Sequence, residues 1–333
     1  MIPNSGTRIA QRRRLRDATR FVAAIAWVFG LQGANHLCRA DYPVKPLRLV
    51  TAEVGGGSDF VARLIAVPLS ANLGQQVIVD DRPSIAPEIV AKAQPDGYTL
   101  LLYGSALWTL PLMRKRVAYD AVRDFAAVSL VARTPNILVV HAGVAVHSVP
   151  ELIALAQAKP GQLNYASGAA GSPNHIAGEL FKALARIDIV RIPYKGSGPA
   201  LNALIGGQVE LAFAPAASAM LHVRNGRLRA LGVTSAEPSA LAPGVPTVAA
   251  GGLPGYESVA NYGVFAPAGI SAALVSRLNK EIVLVVKRPD IRERFLNAGS
   301  EAVGSTALAL AAARNADMAQ VSKVIKEAGI RED

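Results

Sequence analysis

Ser172, Asn174 and His175 lie within four positions of one another, and a hydroxyl beside an imidazole is the raw material of a nucleophilic hydrolase. No G-x-S-x-G elbow surrounds Ser172 or Ser197, so a polar pocket-lining or helix-capping role suits His175 better. His141 and His147 stand six apart and His222 stands alone, a poor spacing for metal ligands. Asp59 has the chemistry of a base or a metal ligand, but its place at a helix start makes it first a cap that holds its turn through backbone N–H groups. Lys195, after Pro193-Tyr194, is either a surface lysine or the charge partner of an anion.

Anion binding is the chemistry these residues share. Three times an apolar strand-like stretch runs into a Gly/Ser-rich turn and then a helix, at Gly55-Gly56-Gly57-Ser58-Asp59, Ser167-Gly168-Ala169-Ala170-Gly171-Ser172 and Lys195-Gly196-Ser197-Gly198. A fourth turn, Gly104-Ser105, follows the apolar run Tyr98 to Tyr103. A helix start offers unpaired N–H groups and the positive end of the helix dipole, and glycine lets the backbone approach a bound group closely. The first turn is neither a dinucleotide fingerprint, because Phe60 stands where the third glycine belongs, nor a P-loop, because no Lys-Ser/Thr follows. The pattern points to holding a small anion rather than transforming it.

The elements that must position these turns alternate. Strand-like segments at 47–52, 76–79 and 98–103 are separated by helix-like segments at 60–72 and 88–93. Strands follow at 128–131 and 137–141, and Ser148 with Glu151 forms a capping box for a helix to Ala158. The alternation resumes with strands at 163–166, 189–192, 209–213 and 228–234 and helices at 174–186, 199–205 and 218–224. Residues 237–255, rich in Pro and Gly, read as a long surface connection. A strand at 262–266 precedes helices at 272–286, 289–298 and 307–328. The last has an apolar stripe (Leu308, Leu310, Ala311, Met318, Val321, Val324, Ile325) expected to pack on the first block. Two α/β blocks joined near 137–141 and again near 262–266 make a hinged pair with the ligand between them.

The 333 residues are 51% apolar and 18% charged, enough for a large core and for two lobes. Of the net charge of +11, residues 1–40 carry +6 from seven arginines and one aspartate, leaving +5 for the rest. With no dense basic stripe interleaved with aromatics, nucleic acid is not the expected partner. The N-terminus reads as a secretory signal: a basic stretch from Arg12 to Arg20, an apolar run from Phe21 to Leu31, and Cys38-Arg39-Ala40 before a cleavage point at Asp41. The apolar run is eleven residues, short of the roughly 20 that span a bilayer. Cleavage there removes the only cysteine, Cys38, and with it any disulfide, thiolate nucleophile or cysteine metal site.

At these residues the sequence resembles the Bug family of extracytoplasmic solute-binding proteins, receptors of tripartite tricarboxylate transporters. The likeness covers nearly all of residues 42–330. It is carried by Tyr42-Pro43, Lys45 to Val50, Gly56-Gly57-Ser58-Asp59 with Ala62-Arg63, and Pro95-Asp96-Gly97 through Leu102. Further matches are Tyr119-Asp120, Asp124-Phe125, Val128 to Val131, Leu163 to Gly168, His175 with Ala177 to Phe181, Pro193 to Ser197, Gly206 to Val209, and Phe265 to Gly269. The resemblance implies a two-lobed periplasmic binding fold closing on a small solute, usually a carboxylate. First-lobe turns would hold one carboxylate, here Gly56, Gly57, Ser58, Asp59, Ser105 and Ala106; second-lobe turns would select the other end, here Ser167, Gly168, Asn174, His175, Lys195, Gly196 and Ser197. The chain departs from the family pattern at Thr51 to Gly55, which lacks the usual prolines and carries Glu53, and at Ser84 to Glu88, where a Gly-rich stretch is cut short. It departs again at Ala214-Pro215, where an Asp-Asn pair is common, so Ala214 gives the second-lobe end a less polar character.

The expectation is therefore an α/β, type II Venus-flytrap fold with a two-strand hinge. Residues 1–40 form the signal peptide, 41–140 and 264–333 lobe I, and 141–263 lobe II. The expected protein is a periplasmic receptor without catalysis, cofactor or metal, a monomer that delivers a di- or tricarboxylate-like solute to the permease subunits of a tripartite tricarboxylate transporter. Contact with a sensor protein in a signalling system is the alternative, and a hydrolase the more distant one.

Overall fold

The computed structural model describes residues 42–331 apart from 53, 55, 56 and 84. The signal segment, Cys38, Glu53, Gly55, Gly56 and Ser84 lie outside the described residues. The chain divides into a unit of residues 1–44 and a unit from Lys45 to Asp333; all that follows concerns the second.

Strand β1 (Leu47–Thr51) lies parallel to β2 (Val77–Asp81) and β3 (Thr99–Gly104). The connections are helical: α1 (Gly57–Leu73) between β1 and β2, and α2 (Ala86–Ala91) between β2 and β3. Helix α1 buries Val61, Ile65 and Leu69 at helical spacing and stops at Gly74, whose φ of +67° only glycine adopts freely. Its first turn begins at Gly57, so Ser58 and Asp59 lie inside the helix rather than before it. A further helix, α3 (Ala106–Met113), follows β3 directly.

The segments expected as two strands at 128–131 and 137–141 are one 17-residue strand, β4 (Phe125–His141). Pro135 breaks the apolar run in the sequence, but it stands where the strand changes partners. Phe125 to Pro135 pair with β9 (Val259–Pro267), and Asn136 to Val140 pair with β7 (Leu211–Pro215). A proline without an N–H is tolerated where one ladder ends and the next begins. Asn136 secures the junction, its N–H donating to Thr234 Oγ1 at 2.9 Å and its carbonyl accepting from the Thr234 N–H at 2.9 Å.

Beyond the junction, β7 continues in parallel to β5 (Asn164–Ser167), and β5 to β6 (Val190–Pro193). β8 (Leu228–Val233) and the short β10 (Glu301–Ala302) also pair with β4, one on each side of the junction. The order is β2-β1-β3-β9-β4-β7-β5-β6. Helices α4 (Val149–Ala158), α5 (Pro173–Ala185), α6 (Ser197–Ile205) and α7 (Ala216–Arg224) serve the β5 side; α8 (Ala272–Val286), α9 (Pro289–Asn297) and α10 (Ala307–Ala328) close the chain. The capping at α4 is as expected, with Ser148 Oγ accepting from the Glu151 N–H at 3.3 Å and Glu151 Oε2 accepting from the His147 N–H at 2.8 Å.

Each side of the junction has its own core. On the β1 side Trp108, Phe125 and Phe265 meet edge to face around Val50, Leu101 and Leu310. On the β5 side Tyr165, Phe181, Phe213 and Tyr256 form a second aromatic cluster. Helix α10 departs from expectation by packing on both sides. Leu310 belongs to the first core and Val324 to the second, while Val321 and Ile325 pack with Met113 of α3 and Ile176 of α5. Leu308, expected in the stripe, is exposed.

Candidate functional site

A cavity of about 790 Å³ opens where the two sides meet. The β1 side lines it with the start of α1 (Gly57, Ser58), the β3–α3 turn (Gly104, Ser105, Ala106) and one face of α3 (Thr109, Leu110). Arg114, Arg116 and Tyr119 follow α3 along the same wall. The β5 side contributes Gly171, Pro173 and Ile176 at the start of α5. Ser258, Val259, Ala260 and Tyr262, where the chain returns into β9, line it too, as do Glu88 before β3 and Asp317 of α10.

Tyr262 explains both glycines of the first wall. A side chain at Gly57 would overlap the Tyr262 hydroxyl, and one at Gly104 would lie 3.3 Å from its ring. The ring thus wedges between the two turns and holds the starts of α1 and α3 side by side. Ser105 Oγ accepts from the Asn261 N–H at 3.0 Å, which fixes the α3 start to β9. The starts of α1 and α3, the ends at which a helix offers N–H groups, then meet at one end of the cavity. Both dipoles present their positive ends there, an arrangement suited to a carboxylate.

Asp59 does not line this cavity. It is buried, with its Oδ1 2.6 Å from Arg63 Nε, and an Arg63 terminal nitrogen lies 2.5 Å from Asp81 Oδ2. The arginine bridges the first turn of α1 to the end of β2. Burial, together with the Asp59 carboxyl beside it, raises the Asp81 pKa above the ordinary carboxylate value. Asp59 therefore positions the helix whose start lines the cavity.

The β5-side residues are differently placed. Ser167, Gly168, Asn174 and His175 are buried and bonded among themselves. Asn174 Oδ1 accepts from the Gly168 N–H at 3.3 Å and from the His175 N–H at 3.1 Å. Arg191 donates from Nε to Ser167 Oγ at 2.7 Å and from a terminal nitrogen to the Gly168 carbonyl at 2.8 Å. His175 Nδ1 accepts from the Gly171 N–H at 3.0 Å. Burial, with Arg191 and Lys182 nearby, lowers the His175 pKa from 6.5 to about 4, so the ring is neutral. Ser172 Oγ lies 2.7 Å from the Ala169 carbonyl and 2.6 Å from Asn174 Oδ1, while His175 Nδ1 is engaged by the Gly171 N–H. Lys195 and Ser197 are exposed, Gly196 is half-buried, and none of the three lines the cavity. Ala214 is buried in β7 opposite Ile137.

The cavity thus unites Gly57, Ser58, Ser105 and Ala106, while Gly56 lies outside the described residues. Lining residues not expected at the site from the sequence include Tyr103, Thr109, Arg114, Arg116, Tyr119, Tyr262 and Asp317. Burial raises the Tyr119 phenol well above ordinary tyrosine and raises that of Tyr262 as well, keeping both neutral. Burial also raises the Asp317 pKa; Trp108 Nε1, donating to it at 2.6 Å, works against that shift. Among the described residues no group of three His, Cys, Asp or Glu side chains could hold a metal ion, and no helix is long and apolar enough to cross a membrane.

An interlobe cavity with helix starts at one end, under a sheet whose chain crosses from one side to the other and back, is the architecture of a periplasmic solute-binding protein. The model of the tripartite tricarboxylate transporter family receptor matches residues 61–330, and the chain belongs to that family. The family is one of receptors, not enzymes. BugT of Bordetella pertussis strain Tohama I is 34% identical over 301 residues, covering 87% of this chain and 91% of BugT. The structure of R. palustris Rpa4515 with adipate is 33% identical with a TM-score of 0.69, covering 87% of this chain and 99% of that one. MatC (Rpa3494) from Rhodopseudomonas palustris with bound malate is 27% identical with a TM-score of 0.65, covering 85% of this chain and all of that one.

Proposed function

We propose that this receptor traps a small carboxylate between its two sides and presents it to the permease subunits of a tripartite tricarboxylate transporter. The observation that carries the reading is the convergence of the α1 and α3 starts, wedged by Tyr262, at one end of the cavity. The adipate and malate in the two structural relatives are carboxylates, which supports the same class here. Gly56, Gly57, Ser58, Ser105 and Ala106 contact the anion, and Asp59 holds the α1 start in place. Closure brings the β5-side turns, with Ser167, Gly168, Asn174, His175, Lys195, Gly196, Ser197 and Ala214, toward the other end. A closed state with more ligand contacts is populated at the expense of the open one. Residues 41–140 and 264–333 move as one lobe against 141–263, and the protein acts as a monomer. Residues 1–40 direct export and are removed after Ala40.

The test is a thermal-shift screen of the exported protein, purified from periplasm and stripped of carried-over ligand, against mono-, di- and tricarboxylates. A saturable rise in melting temperature for one group supports the reading and names that group. A folded protein that shifts with none of them refutes it. N-terminal sequencing of the same sample reads the cleavage point, with Asp41 expected as the first residue.

A further inference from the structure

Strand β4 has neighbours on both edges, and they join the two sides differently. Along one edge the chain itself returns from the β5 side: the Ser258 N–H donates to the Thr234 carbonyl at 2.8 Å, and β9 follows. Ala132 and Arg133 pair with Tyr262 and Asn261 on that edge, and with Ala302 and Glu301 of β10 on the opposite one. β10 is anchored to the β1 side, because the Val303 N–H donates to the Val131 carbonyl at 2.9 Å and Val303 packs against the first core. On the β10 edge the two sides therefore meet through side chains and not through a crossing strand.

Glu301 makes that contact. Its Oε2 accepts from Arg133 Nε at 2.9 Å, and its Oε1 accepts from the Ser239 hydroxyl and, at 3.2 Å, from the Ala240 N–H. Ser239 is buried, and its carbonyl accepts from the N–H of Ala242, which packs with Ile137, Val139 and Ala212 on the β5 side. The Glu301 side chain is only 12% exposed, so these bonds are largely shielded from water. Two residues earlier the backbone abuts α7: a Cβ at Gly299 would lie 2.8 Å from that of Ala217. Ala217, Ser239, Ala240, Gly299 and Glu301 do not line the cavity, whereas Ser258, Val259 and Ala260 on the opposite edge of the crossing do.

Resting on the closure of the two sides proposed above, we propose that Glu301 is a latch that holds the cleft open. Closure pivots on β4. A rotation that brings the cavity walls together on the β9 edge draws apart what meets on the β10 edge. Glu301 then releases Ser239 and Ala240 and keeps Arg133, which lies on its own side of the pivot. The latch is made in the present arrangement, in which Ser167, Lys195 and Ser197 of the β5 side do not line the cavity. Hydrogen bonds to a carboxylate are about twice as strong as neutral ones, so breaking two of them opposes closing. A ligand must supply that difference from its own contacts with the closed state, so the latch lowers affinity and favours release.

Spin labels on the exported protein test this. V67C and L184C place them at exposed positions on α1 and α5, in a C38S background that leaves no other thiol, and double electron–electron resonance reads the distance between the two sides. Wild-type protein is expected to show the long distance without ligand and a shorter one with adipate, the ligand of one structural relative. S239A and E301A should each raise the unliganded ratio of short to long about tenfold, the effect of one charged hydrogen-bonded contact, and tighten adipate binding by a similar factor. The double variant should do no more than E301A alone, because both substitutions remove one contact. A217L changes an exposed position, leaves the Glu301 bonds in place and wedges the β10 edge apart, so it should shift the ratio in the same direction even if the other variants fail to fold. An unliganded ratio unchanged in the folded variants, or moved toward the long distance, overturns the latch while ligand-driven closure in wild type stands. If no mono-, di- or tricarboxylate shortens the wild-type distance, the closure reading falls and the latch with it.

Discussion

After β3 the chain turns at Gly104-Ser105 into α3, and after β5 it turns at Ser167 to Ser172 into α5. Both are Gly/Ser turns between a buried strand and a helix. In the first, the serine hydroxyl accepts from the Asn261 N–H, the serine carbonyl accepts from the Trp108 and Thr109 N–H groups of its own helix, and the turn lines the cavity. In the second, Asn174, His175 and Arg191 occupy the turn's donors and acceptors from inside, and only Gly171 reaches the cavity. A Gly/Ser turn before a helix is thus a capacity for anion binding. Whether it is used for a ligand depends on which neighbouring side chains already satisfy it.

The largest effect expected from this contrast is in stability toward acid. His175 has a folded-state pKa near 4, below its unfolded value of 6.5, because burial and the cations Arg191 and Lys182 oppose its charging. The unfolded chain therefore binds the proton more readily, and stability is lost as pH falls through the window from 6.5 to about 4. The loss amounts to at most about 3 kcal/mol. Protonating Nδ1 also removes the acceptor for the Gly171 N–H. H175Q is expected to flatten the acid limb of a urea-denaturation series; an unchanged slope would show that the ring already charges in the folded protein.

Next comes R191A, which strips the Ser167 hydroxyl and Gly168 carbonyl of their charged donor. The expected cost is about 2–3 kcal/mol of unfolding free energy. If the β5-side turn is internally satisfied scaffold, carboxylate affinity extrapolated to fully folded protein changes little. A loss of affinity of about tenfold or more with only a small loss of stability would place this turn in direct contact with the anion after all.

Glycine substitutions set the two sides against each other at smaller scale. G57A drives a methyl into the Tyr262 hydroxyl, while a Cβ at Gly196 meets nothing within 4 Å. G57A is expected to weaken carboxylate binding about tenfold through displacement of the α1 start, and G196A by less than about twofold. Y262F in the G57A background removes the overlapping oxygen and should recover part of the loss. Equal effects at both glycines would erase the asymmetry.

Some of this was open to the sequence reading and some was not. The β1–α1 turn was legible because a buried apolar strand, a glycine run and a helical apolar face succeed one another without interruption. Helix α3 was not, because Pro111 sits in its interior, where a proline normally marks a break, and because no side chain caps it. With α3 unread, the cavity wall formed by Thr109 and Leu110 was unread as well. β4 was read as two strands for the same reason, Pro135 marking a change of partner and not an end. The internal bonding of the β5-side turn depends on Arg191, which lies 24 positions from Ser167 and meets it only when β5 and β6 pair. Local pattern identifies turns; long-range pairing decides their occupation.

Asp317 gives the smallest of these effects and bears on both sides at once, because α10 packs against α3 and α5 together. Its carboxylate lines the cavity and is desolvated, with Glu257 adding to the upward shift of its pKa. For folding, the sign is the reverse of that for His175. The native chain holds the Asp317 proton to higher pH than the unfolded chain, so this residue's contribution is fully present below the unfolded value of 3.8 and is lost as pH rises through the raised one. For binding, an ionised Asp317 opposes an anion in the same cleft. D317N removes that charge and can still accept from Trp108 Nε1, so it should tighten binding about threefold near neutral pH, the size of one screened repulsion across a half-solvated site. Hexane-1-sulfonate is the suitable probe, since its own charge does not titrate in this range. Wild-type affinity for it should rise on acidification and converge with that of D317N, whose profile stays flat; His175 acts equally in both proteins and cancels from their difference. Parallel profiles would mean that Asp317 is paired away from the bound anion, leaving the helix starts to attract it.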